Sequence, residues 1–230
     1  MQKDLTKLID QIKDQTLQNV VRELVLRPTL SLKMRKMRDV KLSVLTSPAG
    51  KTRHHSYPKG LLEHMISTSK IALAMCDSVE KIYQGRVDRD LVLAGVLLHD
   101  VLKPLTYVEK EDGTYGLSPM GERLNHLSLV LCELYKRKMP IELLHIVASH
   151  HGRTGPISPK TIEALIVHVA DVADATLNGE VLSAAKFLTK QCTGEEVTFK
   201  SSKEAFEVVY AKQSKGCKGV RKVLEKIRKG

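Results

Sequence analysis

The sequence predicts an all-α protein with one small β-hairpin. Three observations carry that expectation. Apolar residues recur at helical spacing through most of the chain. One stretch, 91–98, is apolar on every side, which suits a helix at the centre of a bundle. Strand-like patterning around a tight turn occurs at one place, Asp112-Gly113.

Taken in order, Leu5, Leu8, Ile9, Ile12, Leu17, Val20, Val21 and Leu24 predict one helix over 4–26. Arg27-Pro28 should end it, because the proline ring disfavours helix at the preceding residue. Residues 29–54 read as irregular and basic, with a loop at Ser47-Pro48-Ala49-Gly50. Ser56 as cap and Pro58 in the first turn predict the start of a helix that closes at Gln84-Gly85. Asp88 or Asp90 caps the next helix, the apolar one, which ends near Lys103-Pro104. Segments 106–110 and 114–117 form the hairpin. Helices over 121–138 and 141–150 follow, separated at Pro140. Ser158-Pro159 should start a helix that Asn178-Gly179 ends, with another over 180–189. Two last helices, 204–212 and 219–229, are separated around Gly216.

With 42% hydrophobic and 27% charged residues, the 230-residue chain is globular in composition and not disordered. It divides into a helix and basic loop over 1–50 packing on the core, a main domain over 51–190, and a basic helical extension over 191–230. The net charge of +11 calls for an anionic partner. Its distribution is uneven. Residues 31–53 hold seven basic groups and Asp39, and residues 212–230 hold eight and Glu225. The long middle is slightly acidic, so it is no general nucleic-acid surface. The apolar run is too short to span a bilayer, and the first residues lack the apolar core of a signal peptide. Cys76, Cys132, Cys192 and Cys217 are widely spaced and read as free thiols, which together with the missing export signal points to the cytoplasm.

Histidine and aspartate carry the functional signal. His99-Asp100 ends the apolar helix, and Asp171 follows an apolar run from Ala164 to Ala170. A carboxylate delivered into a core needs a cation or dense hydrogen bonding. His64 lies in the first helix of the main domain, His126 in the helix after the hairpin, and His150-His151 at a helix end. Several imidazoles and two carboxylates arriving from different helices suit a divalent transition metal.

His64, His99-Asp100 and Asp171, in that order on separate helices, resemble the HD-domain metal-dependent phosphohydrolases. The flanking strings His54-His55-Ser56-Tyr57-Pro58-Lys59-Gly60, Leu97-Leu98-His99-Asp100-Val101-Leu102-Lys103 and His150-His151-Gly152 are similar to the family's motifs over roughly residues 50–190. Leu102 departs from the glycine common there. The resemblance implies an HD-type helical bundle in which His64, His99, Asp100 and Asp171 bind one metal. His126 and His150 would bind a second, with Asp100 bridging. Fe(II) or Mn(II) is favoured for both. Asp100 and Lys103 are then the catalytic pair, Lys103 reaching a phosphate as a point charge. His151, His168, Asp174 and Glu63 are either further ligands or groups that orient ligands. His54, His55, Arg153 and Lys160 are candidates for touching substrate, His54 and His55 at the mouth of the pocket.

The implied reaction is hydrolysis of a phosphate ester by a hydroxide that two metals supply. Within the family the chain resembles archaeal cyclic phosphodiesterases, which implies a phosphorylated small molecule such as the 2′,3′-cyclic phosphate of dihydroneopterin. A 3′-5′ exoribonuclease acting on RNA, or another nucleotide phosphohydrolase, is the second choice, since single-strand binders rely on stacking aromatics and this chain is 4% aromatic. A diiron oxygenase is the third. No membrane partner is expected, and a homo-oligomer is compatible with the sequence.

Overall fold

The computed structural model describes residues 1–31 and 42–229. Residues 32–41 of the basic stretch expected over 31–53, with five of its seven basic groups, therefore lie outside the described residues. The elements run α1 (Gln2–Ile9), α2 (Gln15–Leu26), α3 (Gly60–Lys81), α4 (Arg89–Leu98), a single turn α5 (Lys103–Thr106), β1 (Tyr107–Glu109), β2 (Tyr115–Leu117), α6 (His126–Lys136), α7 (Ile141–Ser149), α8 (Ile162–Thr193) and α9 (Ser202–Lys229). The fold is all-α with one hairpin, in which Tyr107 pairs antiparallel with Leu117.

The apolar helix α4 is central. Val92 to Leu98 are all buried, and α2, α3, α7 and α8 pack around it. Asp88 caps it by accepting from the Asp90 and Leu91 amides. One apolar cluster joins α1, α2, α3, α4, α6 and α7, so the N-terminal helices share the main core. A second joins Tyr57, the end of α8 and α9.

Several boundaries differ from the sequence expectation, each for a physical reason. The helix expected over 4–26 is two. Asp14 caps α2 at the Leu17 amide, and Asp90 on α4 accepts from the Lys13 and Asp14 amides, so a distant carboxylate satisfies the break. Helix α3 begins at Gly60, not at Ser56. Residues 46–60 form a loop in which the Lys59 amide reaches the Thr46 carbonyl and the Leu61 amide the Ser47 carbonyl. Only glycine fits at 60, since a Cβ there would lie 2.1 Å from the His55 carbonyl oxygen. The apolar helix stops at Leu98, and Lys103-Pro104 opens α5 instead of ending α4. Helix α6 begins at His126, where Asn125 caps it, and not at 121. Thr161 caps α8 in place of Ser158.

Asn178-Gly179 does not end a helix. α8 continues through it for 32 residues, and the piece expected over 180–189 is part of it. Asn178 is buried and its amide is spent on the loop before α3, so the turn-forming dipeptide serves a tertiary contact. The break at Gly216 is present, with φ 59° inside α9. Cys192 and Cys217 form a disulfide between α8 and α9, which corrects the reading of four free thiols; Cys76 and Cys132 are free. Packing of α9 on the C-terminal part of α8 brings together two residues 25 apart in sequence. The cysteines thus no longer argue for a reducing compartment. Among the described residues no helix is long and apolar enough to cross a membrane.

Candidate metal centre

Five helix ends or faces converge on one buried point. α3 supplies His64, the end of α4 supplies His99 and Asp100, the start of α6 supplies His126, the end of α7 supplies His150, and α8 supplies Asp171. His64 Nε2 lies 3.2 Å from Asp171 Oδ1, 3.3 Å from His99 Nε2 and 3.6 Å from Asp100 Oδ2. His99 Nε2 is 3.4 Å from Asp100 Oδ2 and 3.7 Å from Asp171 Oδ1. On the other side of Asp100, Oδ1 is 3.1 Å from His126 Nε2. The ligand-type atoms of His126, His150 and His151 lie within 4.8 Å of one another, as do those of His64, His99 and Asp171. The structure thus brings together all six residues expected to bind metal, and it places His151 beside His150.

Hydrogen bonds orient these rings. His64 Nδ1 donates to Asp174 Oδ2 at 2.7 Å, which turns Nε2 towards the centre. His99 Nδ1 donates to the Val96 carbonyl and His150 Nδ1 to the Val147 carbonyl, each at 2.7 Å. Both of these bonds come from local geometry, because a histidine at a helix end reaches the carbonyl three residues back. His168 donates to the His150 carbonyl at 2.6 Å and so holds the His150-His151-Gly152 turn. Gly152 has φ 58°, and a Cβ there would lie 2.3 Å from the His168 ring, so no other residue fits.

A second network backs the first. Asp174 Oδ2 also takes His55 Nε2 at 2.8 Å, and His55 Nδ1 lies 2.7 Å from the Tyr57 hydroxyl. Tyr57 donates to Glu63 at 2.5 Å, Glu63 accepts from Ser202 on α9, and Asn178 donates to Tyr57. His55 is therefore an interior residue, 2% exposed, and not part of the pocket mouth. The grouping of His55, His64 and Asp174 resembles a metal site in distance alone. Both His55 nitrogens are spent on protein partners, so it is a bracing network. Sequence reading missed Tyr57, Asn178 and Ser202. A signal for one was present: Asp171, Asp174 and Asn178 are spaced i, i+3, i+7 and share a helix face.

A cleft of about 540 Å³ opens onto Asp100, Lys103, His150, His151 and Asp171. His54 lines it, whereas Arg153 and Lys160 do not. Lys103 is buried, with Nζ 2.5 Å from Asp100 Oδ2. Burial would raise the Asp100 carboxyl, but Lys103, His99 and His126 outweigh it and hold it well below the usual carboxylate range. Asp171 behaves likewise beside His64 and His99. Burial and the neighbouring His99 push the His150 imidazole well down, so it is neutral at pH 7 with a free lone pair. Burial and Lys103 push His54 down to about 4, so at neutral pH it is a neutral imidazole and not an imidazolium acid.

Asp100 Oδ1, His126 Nε2 and His150 Nε2 are buried and make no hydrogen bond. Unpaired buried polar atoms are costly, and these three surround one space. All three are lone-pair donors of the type that binds divalent transition metals, so the residues fit such an ion.

The HD-domain family model matches residues 61–176, which contain every one of these donors. The chain belongs to the HD-domain family. HD domains are metal-dependent phosphohydrolases, and the clusters just described are where this one can hold ions. The HD chain is 48% identical over 174 residues to the dihydroneopterin 2′,3′-cyclic phosphate phosphodiesterase of Methanocaldococcus jannaschii, covering 76% of this chain and 69% of that one. It is 31% identical over 189 residues to the 3′-5′ exoribonuclease YhaM of Listeria monocytogenes, covering 77% and 54%. The Oceanobacillus iheyensis exoribonuclease matches at 34% over 146 residues, 59% of this chain and 44% of that one. The chain thus spans about half the length of the exoribonucleases. No solved structure matches it.

Proposed function

We propose that this HD domain is a phosphodiesterase that opens a 2′,3′-cyclic phosphate on a dihydroneopterin-like small molecule. The three unpartnered buried atoms around Asp100, in a chain 48% identical to an enzyme of that name, carry the proposal. His64, His99, Asp100 and Asp171 would hold one ion, and His126 and His150 a second that Asp100 shares. His151 stands ready as an additional donor. Fe(II) or Mn(II) suits the mixed imidazole and carboxylate set.

Bound metal supplies Lewis acidity, activating water and drawing charge from phosphate oxygens. The chain's own groups do the rest. Lys103 places a cation at the phosphate end of the cleft, and its ion pair with Asp100 fixes its position. His54, neutral at pH 7, offers a hydrogen bond to the substrate and not an imidazolium proton. Asp174 and Glu63 act through His64 and His55 by keeping the rings aimed.

The test is metal content after anaerobic purification, followed by parallel assays. About two transition-metal ions per chain are expected, falling towards one in His126→Ala or His150→Ala. Dihydroneopterin cyclic phosphate should be opened. Loss of RNA ends with no cyclic-phosphate opening would replace this reading by the exoribonuclease one, which the Listeria relative supports.

A further inference from the structure

We propose that Glu180 forms a recognition subsite for a planar heterocycle presenting two adjacent N–H donors, the 2-amino-4-oxo edge that pterins and guanine share. This rests on the proposed function, which places the phosphate at Asp100 and Lys103. The cleft runs from that point along α8 to Glu180, Ser183 and Lys186. Glu180 lies nine residues beyond Asp171 on the same helix, a rise of about 13 Å. A bicyclic ring carrying a three-carbon phosphorylated chain can bridge such a span.

Outside the metal set, Glu180 is the one carboxylate that lines the cleft among the described residues. It is exposed there and makes no hydrogen bond or ion pair with the described residues, although Arg53 and Lys186 line the same cleft. Those cations account for attraction of an anionic substrate. A carboxylate at the far end works against phosphate and needs another reason. Thr176, Gly179 and Ser183, all small, line the cleft beside it together with Leu182. The Arg53 carbonyl and the His54 Cβ each lie 3.8 Å from where a Gly179 Cβ would stand, so the loop carrying Arg53 packs against α8 at the residue before Glu180.

The two oxygens of a carboxylate match two neighbouring N–H groups in a paired, charge-assisted contact. Adenine, cytosine and uracil each place an acceptor in one of those positions, so an ionised carboxylate repels that edge. Glu180 is exposed, so water satisfies it beside a mismatched ligand, and the discrimination expected from the paired contact is about tenfold.

The experiment compares the wild-type protein with Glu180→Gln by two readouts. The first is binding of 7,8-dihydroneopterin, which carries no phosphate, to metal-free protein by calorimetry. The second is the ratio of kcat/KM for guanosine over adenosine 2′,3′-cyclic monophosphate with metal bound. Wild type should bind dihydroneopterin, and the variant about tenfold more weakly or worse. The guanine-to-adenine ratio should fall by a similar factor, since glutamine offers one acceptor and one donor. Unchanged binding and an unchanged ratio would overturn the proposal, as would absence of dihydroneopterin binding to wild type. Binding that depends on Glu180 in a protein that opens no cyclic phosphate would overturn the proposed reaction and leave the subsite standing. Cyclic-phosphate opening with an unaltered ratio would do the reverse.

Discussion

On the α3–α8 side of the metal centre every ring nitrogen meets a neighbour. His64 is held by Asp174 and faces Asp171, and His99 is held by the Val96 carbonyl. Asp174 is itself held by His55, which leads through Tyr57 and Glu63 to Ser202 on α9. On the α6–α7 side, His150 Nε2 is buried without a partner, and His126 Nε2 meets only the shared Asp100 Oδ1, 3.1 Å away. The protein therefore fixes one half of the site by its own hydrogen bonds and leaves the other half uncompensated until a cation arrives. Asp100 belongs to both, with one oxygen towards each half.

The most severe test of that contrast is Asp100→Ala. It should cost about a thousandfold or more in turnover and remove metal from both halves, since the shared carboxylate is lost. Activity within tenfold of wild type, read beside metal content, would break the comparison. Next come single histidines in metal-free protein, where the halves should behave differently. His64→Ala takes one of two imidazoles from the buried Asp174 carboxylate, leaving His55, and should destabilise by about 2 kcal/mol. His126→Ala removes a nitrogen whose neighbour Asp100 keeps Lys103, and should cost clearly less, about 1 kcal/mol or under. Urea unfolding of the two variants measures this, and equal losses would show that the halves are not different. Asp174→Asn keeps shape but weakens the brace on His64. It should lower metal affinity about 10- to 100-fold, seen by competition with a chelator, without unfolding the protein.

The smallest effect separates the site from the scaffold. Glu133 on α6 is fully buried and takes the Ser31 amide and hydroxyl and the Arg137 guanidinium. Burial raises its carboxyl, but those partners outweigh it and hold it below its ordinary value of 4.5. A carboxyl lower in the folded state than in the unfolded one adds stability above pH 4.5, which is lost as pH falls through the folded value. Thermal melts of wild type should therefore fall as the pH drops below 5. Glu133→Gln should flatten that slope while leaving metal content unchanged.

Much of this was legible before the fold was known. The central helix at 91–98, the hairpin at Asp112-Gly113 and the six metal-binding candidates all stand in the chain as residue types and spacings. The boundaries that moved did so where a distant group intervened. Asp90 closes the break between α1 and α2, and the demands of His55 and Tyr57 keep Asn178 inside a helix. His55 looked equivalent to His54 in sequence, yet one is interior and the other lines the cleft. The loop that separates them turns through a positive φ at His55, which no local pattern announces.

The sequence by itself determined the helical class and which imidazoles and carboxylates come to the centre, and in what order. Helical periodicity and ligand chemistry are local properties, readable one residue at a time. The tertiary structure alone decided which of those atoms are braced and which stand unpaired. It also decided that Cys192 meets Cys217 and that α8 runs unbroken from the metal centre to Glu180. Those outcomes depend on partners far away in the chain, whose packing and hydrogen bonds outweigh the weak local preference of a turn, a cap or a lone thiol.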